Sequence, residues 1–254
     1  MTKERILSIF KRVIPGYNEE EYEIWKTMTY DLVPLNYPTT CLFVDDEINN
    51  FKTITEFTER EILDFLFSRN DLNPLLLDAV GIPTSGFKLF RELTRPLVMN
   101  RNEKPGDLDL ILFDVNSIQK AIGIEVKCVK AKTFEDGRIK LTKEKNITKG
   151  ISQANEYLKF GFHKTFLLMI LLDDGQYNTK HNQFFRDTDL RLSKKLFNRR
   201  ILKNLHPDIG LIYLKVNQIT GKSIFQSGKI SVRVEKNSVE KNQNDITTEK
   251  LASL

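Results

Sequence analysis

Two β-prone segments of the chain carry ionisable side chains among apolar ones. In Asp107-Leu108-Asp109-Leu110-Ile111-Leu112-Phe113, strand alternation sets Asp107, Asp109, Ile111 and Phe113 on one face and the three leucines on the other. In Ala121-Ile122-Gly123-Ile124-Glu125-Val126-Lys127-Cys128-Val129, Glu125 and Lys127 share a face while Ile124, Val126 and Cys128 point oppositely into a core. Burying an unpaired carboxylate or ammonium is expensive, so such groups need each other, a metal or a solvent-filled cleft. If the two strands are neighbours, Asp109 and Glu125 can share a hard cation and leave coordination positions for water and phosphate oxygens, which is how Mg²⁺ prefers to bind. A nearby lysine would then position a water or neutralise developing charge, and the chemistry this suits is phosphodiester hydrolysis.

The elements around these residues supply a scaffold. Residues 1 to about 80 read as mostly helical, with a short strand at Cys41-Leu42-Phe43-Val44. Thr58 and Glu61 have capping-box spacing, and Phe57 with Ile62 that of a hydrophobic staple, which predicts a helix running to about Ser68. Three- and four-residue spacing of Phe87, Phe90, Leu89 and Leu93 predicts a second helix from Ser85 to Leu93. After the two charged strands come a helix over Thr148 to Phe160, a buried strand over Phe166 to Leu172, a basic amphipathic helix over Asp189 to Leu205, and strands at Leu211 to Val216 and Lys229 to Val234. The polar tail from about Lys236 reads as disordered.

With these motifs in order, the chain resembles the PD-(D/E)XK nuclease superfamily in its RecB-like form over roughly residues 85 to 175. Pro105-Gly106-Asp107-Leu108-Asp109 looks like the family's G-x-x-D strand start, Glu125-Val126-Lys127 like its E-x-K, and Gln153 with Tyr157 like the Q-x-x-x-Y of the following helix. The resemblance implies an α/β fold with a restriction-endonuclease-like mixed central sheet flanked by helices, here with a mostly helical N-terminal extension. It selects Asp109 over Asp107 and makes Asp109, Glu125 and the Val126 carbonyl ligands of Mg²⁺, with Mn²⁺ able to substitute. Lys127 then acts at the nucleophilic water, while Gln153 and Tyr157 orient DNA or the metal site. Glu92, on the helix expected before the strands, looks like the additional acid that many members use as a further metal ligand; its alternative is an ion pair with Lys88 four residues earlier.

Composition narrows the setting. The 254 residues are 40% hydrophobic and 29% charged, enough apolar content for a real core. The longest apolar run falls far short of a membrane span, and with only Cys41 and Cys128 neither a disulfide framework nor a paired-cysteine metal site can be built. A cytoplasmic protein is expected. Acidic side chains outnumber basic ones twelve to three between Asn18 and Asp64, whereas Lys127 to Lys149 holds eight basic and three acidic and Gln176 to Leu205 eight and two. The cationic half suits a polyanion.

Three domains are expected: residues 1–80 of unassigned role, a nuclease-like domain over 81–235 and the tail over 236–254. The leading reading is a metal-dependent DNA endonuclease, in restriction or another anti-phage role. Residues 1–80 would serve target recognition, a homodimer or a partner protein. The alternatives are an inactive nuclease-fold module that only binds nucleic acid or a partner, and an interaction protein whose acidic half covers the basic one.

Overall fold

The computed structural model describes residues 39–45, 54–68, 72–93, 108–134, 139–142, 145–174, 202–219 and 226–254. Within them lie strands β1 (Thr39–Asp45), β2 (Phe87–Leu93), β3 (Leu108–Asp114), β4 (Ile122–Thr133), β5 (Ile139–Thr142), β6 (Lys164–Asp173), β7 (Gly210–Ile219) and β8 (Gln226–Lys236). The helices are α1 (Glu59–Ser68), α2 (Asn73–Val80), α3 (Asn146–Tyr157) and α4 (Asp245–Ala252). The strands form one mixed sheet in the order β1-β8-β7-β6-β4-β3-β2, with β5 pairing β4 off that path. β4, β6 and β7 run parallel at its centre, and the other pairs are antiparallel.

Helices cover both faces, making an α/β fold. On one face Ile62, Leu63 and Leu66 of α1 and Leu75, Leu76, Leu77 and Val80 of α2 join Ile124, Val126 and Cys128 of β4 and the even-numbered apolar residues of β6 and β7. On the other, Ile147, Ile151 and Ala154 of α3 pack against Val129, Leu167, Met169 and Leu171. β6 is apolar on both sides because it is covered on both, as central parallel strands are. Two polar groups are sealed into the second face, where Lys215 of β7 lies 3.1 Å from Asp173 of β6. Charges at that depth persist only as partners.

Several expectations hold. Thr58 and Glu61 cap α1 reciprocally, with the Thr58 N–H donating to Glu61 at 2.7 Å and the Glu61 N–H donating to the Thr58 hydroxyl at 3.2 Å. β3 and β4 are antiparallel neighbours. Strands occupy the regions expected near 41–44, 166–172, 211–216 and 229–234.

Others do not. The segment read as a helix over Ser85–Leu93 is the edge strand β2. Gly86, at φ +77°, immediately precedes β2, and the Val115 N–H donates to its carbonyl at 2.8 Å, extending the pairing with β3. Pairing with β3 outweighs a short run of helical spacing that Phe87 and Leu89 also satisfy with period two. The tail expected to be disordered is built into the fold. Gln243 accepts from the Ala121 N–H at 2.8 Å and donates to the Ile118 carbonyl at 3.0 Å, while Asn244 caps α4 and Leu251 is buried. Side-chain hydrogen bonds hold this segment where apolar content could not. Nor does residue 80 separate two cores: α1 and α2 belong to the core of the sheet, and residues 38–254 form one compact unit. The expected N-terminal helical region before residue 39, most of the basic helix over Asp189–Leu205, and Pro105, Gly106 and Asp107 lie outside the described residues. Among the described residues no helix is long and apolar enough to cross a membrane.

Candidate active site

A break in sheet pairing creates the site. Along the β4 edge that faces β3, residues Ile122 to Ile124 pair with β3 and Lys130 to Thr133 with β5. Among the described residues the stretch between them, Glu125 to Val129, pairs with neither strand, so β3 and β4 part like a fork. A strand N–H left there needs another acceptor. Asp109, the second residue of β3, provides it: its Oδ2 accepts from the Val126 N–H at 2.7 Å. The carboxylate thus takes over a role that a neighbouring strand fills elsewhere.

Glu125 and Lys127 enter the fork from β4. The Glu125 side chain is 0% exposed, Lys127 14% and Asp109 20%, so the acid at the floor is sealed while its partners reach solvent. Lys127 Nζ contacts Glu125 Oε1, lies 3.7 Å from Asp109 Oδ2 and donates to the Val126 carbonyl at 2.8 Å. Three oxygens from two carboxylates and one main-chain carbonyl therefore surround one ammonium. The buried Glu125 carboxylate is held by the Lys127 ammonium at Oε1 and lies within reach of the Tyr157 hydroxyl.

The electrostatics follow from that crowding. Burial, and then the charge of Asp109, push the Glu125 carboxyl from 4.5 up to about 7, against the opposing pull of Lys127 and Tyr157. Burial alone would lower the Lys127 ammonium, but the charge of Glu125, with smaller contributions from Asp109 and Glu59, leaves it raised. The Tyr157 hydroxyl is raised too, by burial and then by the charges of Glu125 and Asp109.

Helix α3 completes the wall. The Tyr157 hydroxyl accepts from the Asp109 N–H at 2.8 Å, so Asp109 is fixed to α3 through its backbone and to β4 through its carboxylate. One turn earlier Gln153 has its amide oxygen buried, with no donor among the described residues. Another turn back, Gly150 faces Lys127: a Cβ there would run into Lys127 Cγ and come within 3.1 Å of its Cδ and Cε. Only glycine lets α3 approach β4 across that side chain.

Asp109, Glu125, the Val126 carbonyl, Lys127 and Tyr157 are thus brought together, with Gln153 on the same helix. Glu92 is not where expected. It sits on β2 rather than a helix, at the position opposite Asp109 in register, and its φ of 48° interrupts the pairing between Arg91↔Leu110 and Leu93↔Leu108. Its carboxylate accepts from Arg60 Nη1 at 3.3 Å, and a strand cannot bring it to Lys88. Glu92 and Asp109 line one cavity of about 330 Å³ together with Glu59, Arg60, Leu63, Leu89, Phe90 and Arg91. Glu59, at the start of α1, is the acid that sequence reasoning passed over. The capping box located its helix, but only docking of α1 beside β3 and β4 reveals that its charge reaches Lys127.

Among the described residues no group of three or more His, Cys, Asp or Glu is arranged to hold a metal ion. The oxygens of the fork, two carboxylates and one main-chain carbonyl around the Lys127 ammonium, are nevertheless of the kind a hard cation takes. Mg²⁺ commonly binds through one or two carboxylates with water completing its shell. No family model, curated protein or solved structure matches the chain.

Proposed function

We propose that the chain is a metal-dependent nuclease of the PD-(D/E)XK type, with a restriction-endonuclease-like core, that hydrolyses phosphodiester bonds in DNA. The observation that carries the reading is Glu125, fully buried beside Asp109 and Lys127 in the opening between β3 and β4. Two neighbouring carboxylates, one of them fully buried, share a single ammonium, and a cation would complete the charge balance.

In this reading Asp109, Glu125 and the Val126 carbonyl hold Mg²⁺, with Glu59 and Glu92 close by in the adjoining cavity. The bound ion supplies Lewis-acid polarisation of the phosphoryl group and makes a water easier to deprotonate. Lys127 supplies a positive charge at the mouth of the fork, where it orients the attacking water and offsets charge on the phosphate as the P–O bond to the leaving oxygen breaks. Tyr157 keeps Asp109 in place from behind, and Gln153, one turn earlier on α3, is assigned to orienting the DNA or the ion. The basic stretch from Lys127 to Lys149 agrees with a polyanionic substrate.

The direct test incubates purified protein with supercoiled, linear and single-stranded DNA and with RNA, each with Mg²⁺ or Mn²⁺, beside Glu125→Ala and Lys127→Ala. Metal-dependent cleavage by the wild type alone supports the reading. Identical products from all three proteins sink it, and binding without cleavage under every metal identifies a module that only binds.

A further inference from the structure

Beyond the fork, the face of β4 that carries Val126 and Cys128 changes character. Those two side chains are core, but the next positions on that face are Lys130 and Lys132, and Lys132 is exposed. The partner strand β5 sets Lys140 directly opposite Lys132, also exposed, and Thr142 opposite Lys130. Like charges facing each other across an antiparallel pair destabilise it. The cost falls on a poorly supported element, because β5 has four residues and, among the described residues, pairs with β4 alone. Among the described residues no carboxylate meets Lys132 or Lys140, although carboxylates pair with Arg60, Arg91 and Lys164 elsewhere on the surface. Lys145 and Lys149, exposed where the chain passes from β5 into α3, keep the same sign.

We propose that the lysine face of the β4–β5 hairpin, centred on the Lys132–Lys140 pair, is a contact surface for the phosphate backbone of the nucleic acid cleaved in the fork. The inference rests on the nuclease reading for the identity of the polyanion and extends it to a surface outside the catalytic residues. A phosphate between the two ammonium groups turns their mutual repulsion into attraction and releases counterions. Position on one strand sets the reach. Lys132 is five residues beyond Lys127, roughly 16 Å at strand rise, and its side chain stands on the other face of β4, so the backbone it meets is a flanking stretch passing the end of the hairpin rather than the stretch in the fork.

The test measures binding of labelled duplex and single-stranded DNA in EDTA from about 50 to 200 mM salt, comparing wild type with Lys132→Gln/Lys140→Gln. A control, Lys120→Gln/Lys250→Gln, makes the same change in net charge on exposed residues outside the two basic stretches. Circular dichroism melting verifies that each protein folds. The hairpin variant is expected to bind more weakly and to lower the slope of log K against log salt by up to about 1.8 for duplex or 1.4 for single strands, the loss of two phosphate contacts. The control keeps the wild-type slope. Equal slopes for wild type and hairpin variant, equal losses in both variants, or no nucleic-acid binding by the wild type overturns the proposal. Cleavage assays separate the two readings: a slope change in a protein that cuts nothing leaves the surface standing and removes the nuclease, whereas normal cutting with an unchanged slope does the reverse.

Discussion

Replacing Glu125 by glutamine should make the metal-free protein lose less stability as pH rises than the wild type does. A carboxyl whose pKa is higher in the folded than in the unfolded chain contributes stability that is complete below the unfolded value and vanishes as pH climbs through the folded one. For Glu125 the window runs from 4.5 to about 7. That rise, at about 1.4 kcal/mol per pH unit, corresponds to about 3 kcal/mol. The side chain is 0% exposed, so solvent does not screen much of it away. Lys127, whose pKa is raised from 10.5, stays protonated across the window and adds no slope. In a domain of this size about 3 kcal/mol is roughly 6–12 °C in Tm. The assay is thermal unfolding by circular dichroism in EDTA at half-unit steps from pH 4.5 to 8, for wild type and Glu125→Gln. The difference in Tm between the two proteins should move by that amount in favour of the variant, and saturating Mg²⁺ should flatten the wild-type curve. Parallel curves in EDTA would refute the argument, since Glu125 would then be no more costly to ionise in the fold than outside it.

Three further outcomes follow from the same contacts. Because Lys127 Nζ lies among the three oxygens assigned to the ion, Lys127→Ala should bind Mn²⁺ in calorimetry at least as tightly as wild type while losing cleavage. Glu125→Gln should lose binding at least about ten-fold, equivalent to 1.4 kcal/mol, and equal weakening in both variants would contradict this picture. Tyr157→Phe strips the Asp109 N–H of its acceptor, which should cost about 1–3 kcal/mol in urea unfolding; no change would mean that the N–H finds another partner. Gly150→Ala places a methyl against Lys127, and a misplacement near 1 Å should lower kcat by about 100-fold. Its Tm should shift by only a few degrees, because better helix propensity of about 1 kcal/mol offsets part of the overpacking.

What the sequence disclosed, it disclosed through short-range physics. Alternation in β3 and β4, the reciprocal cap at Thr58 and Glu61, and the helical spacing of Gln153 and Tyr157 are local patterns, and each survives in the folded chain. The failures involve partners distant in sequence. Phe87 to Leu93 is a strand because β3 offers it an edge. The tail is ordered because Gln243 meets backbone groups at Ile118 and Ala121, and Thr247 meets the Phe160 carbonyl, across spans no composition rule senses. Glu59 and Gly150 matter through what docks against them. A glycine inside an apolar helical pattern was the single available hint, since such a residue often marks a close approach.

The fork also bears on when the chain can do anything. Its three essential pieces, Asp109 on β3, the Glu125 and Lys127 pair on β4 and Tyr157 on α3, meet only once the crossover through α3 has closed and β6 has paired in parallel with β4. Non-local parallel pairing is among the slower events in folding. Most of the helix and hairpin structure can therefore form in a polypeptide that is still chemically unarmed. Under the proposed nuclease reading, a chain stalled before that registration, or emerging from a ribosome, would have no assembled centre to turn on whatever lies nearby.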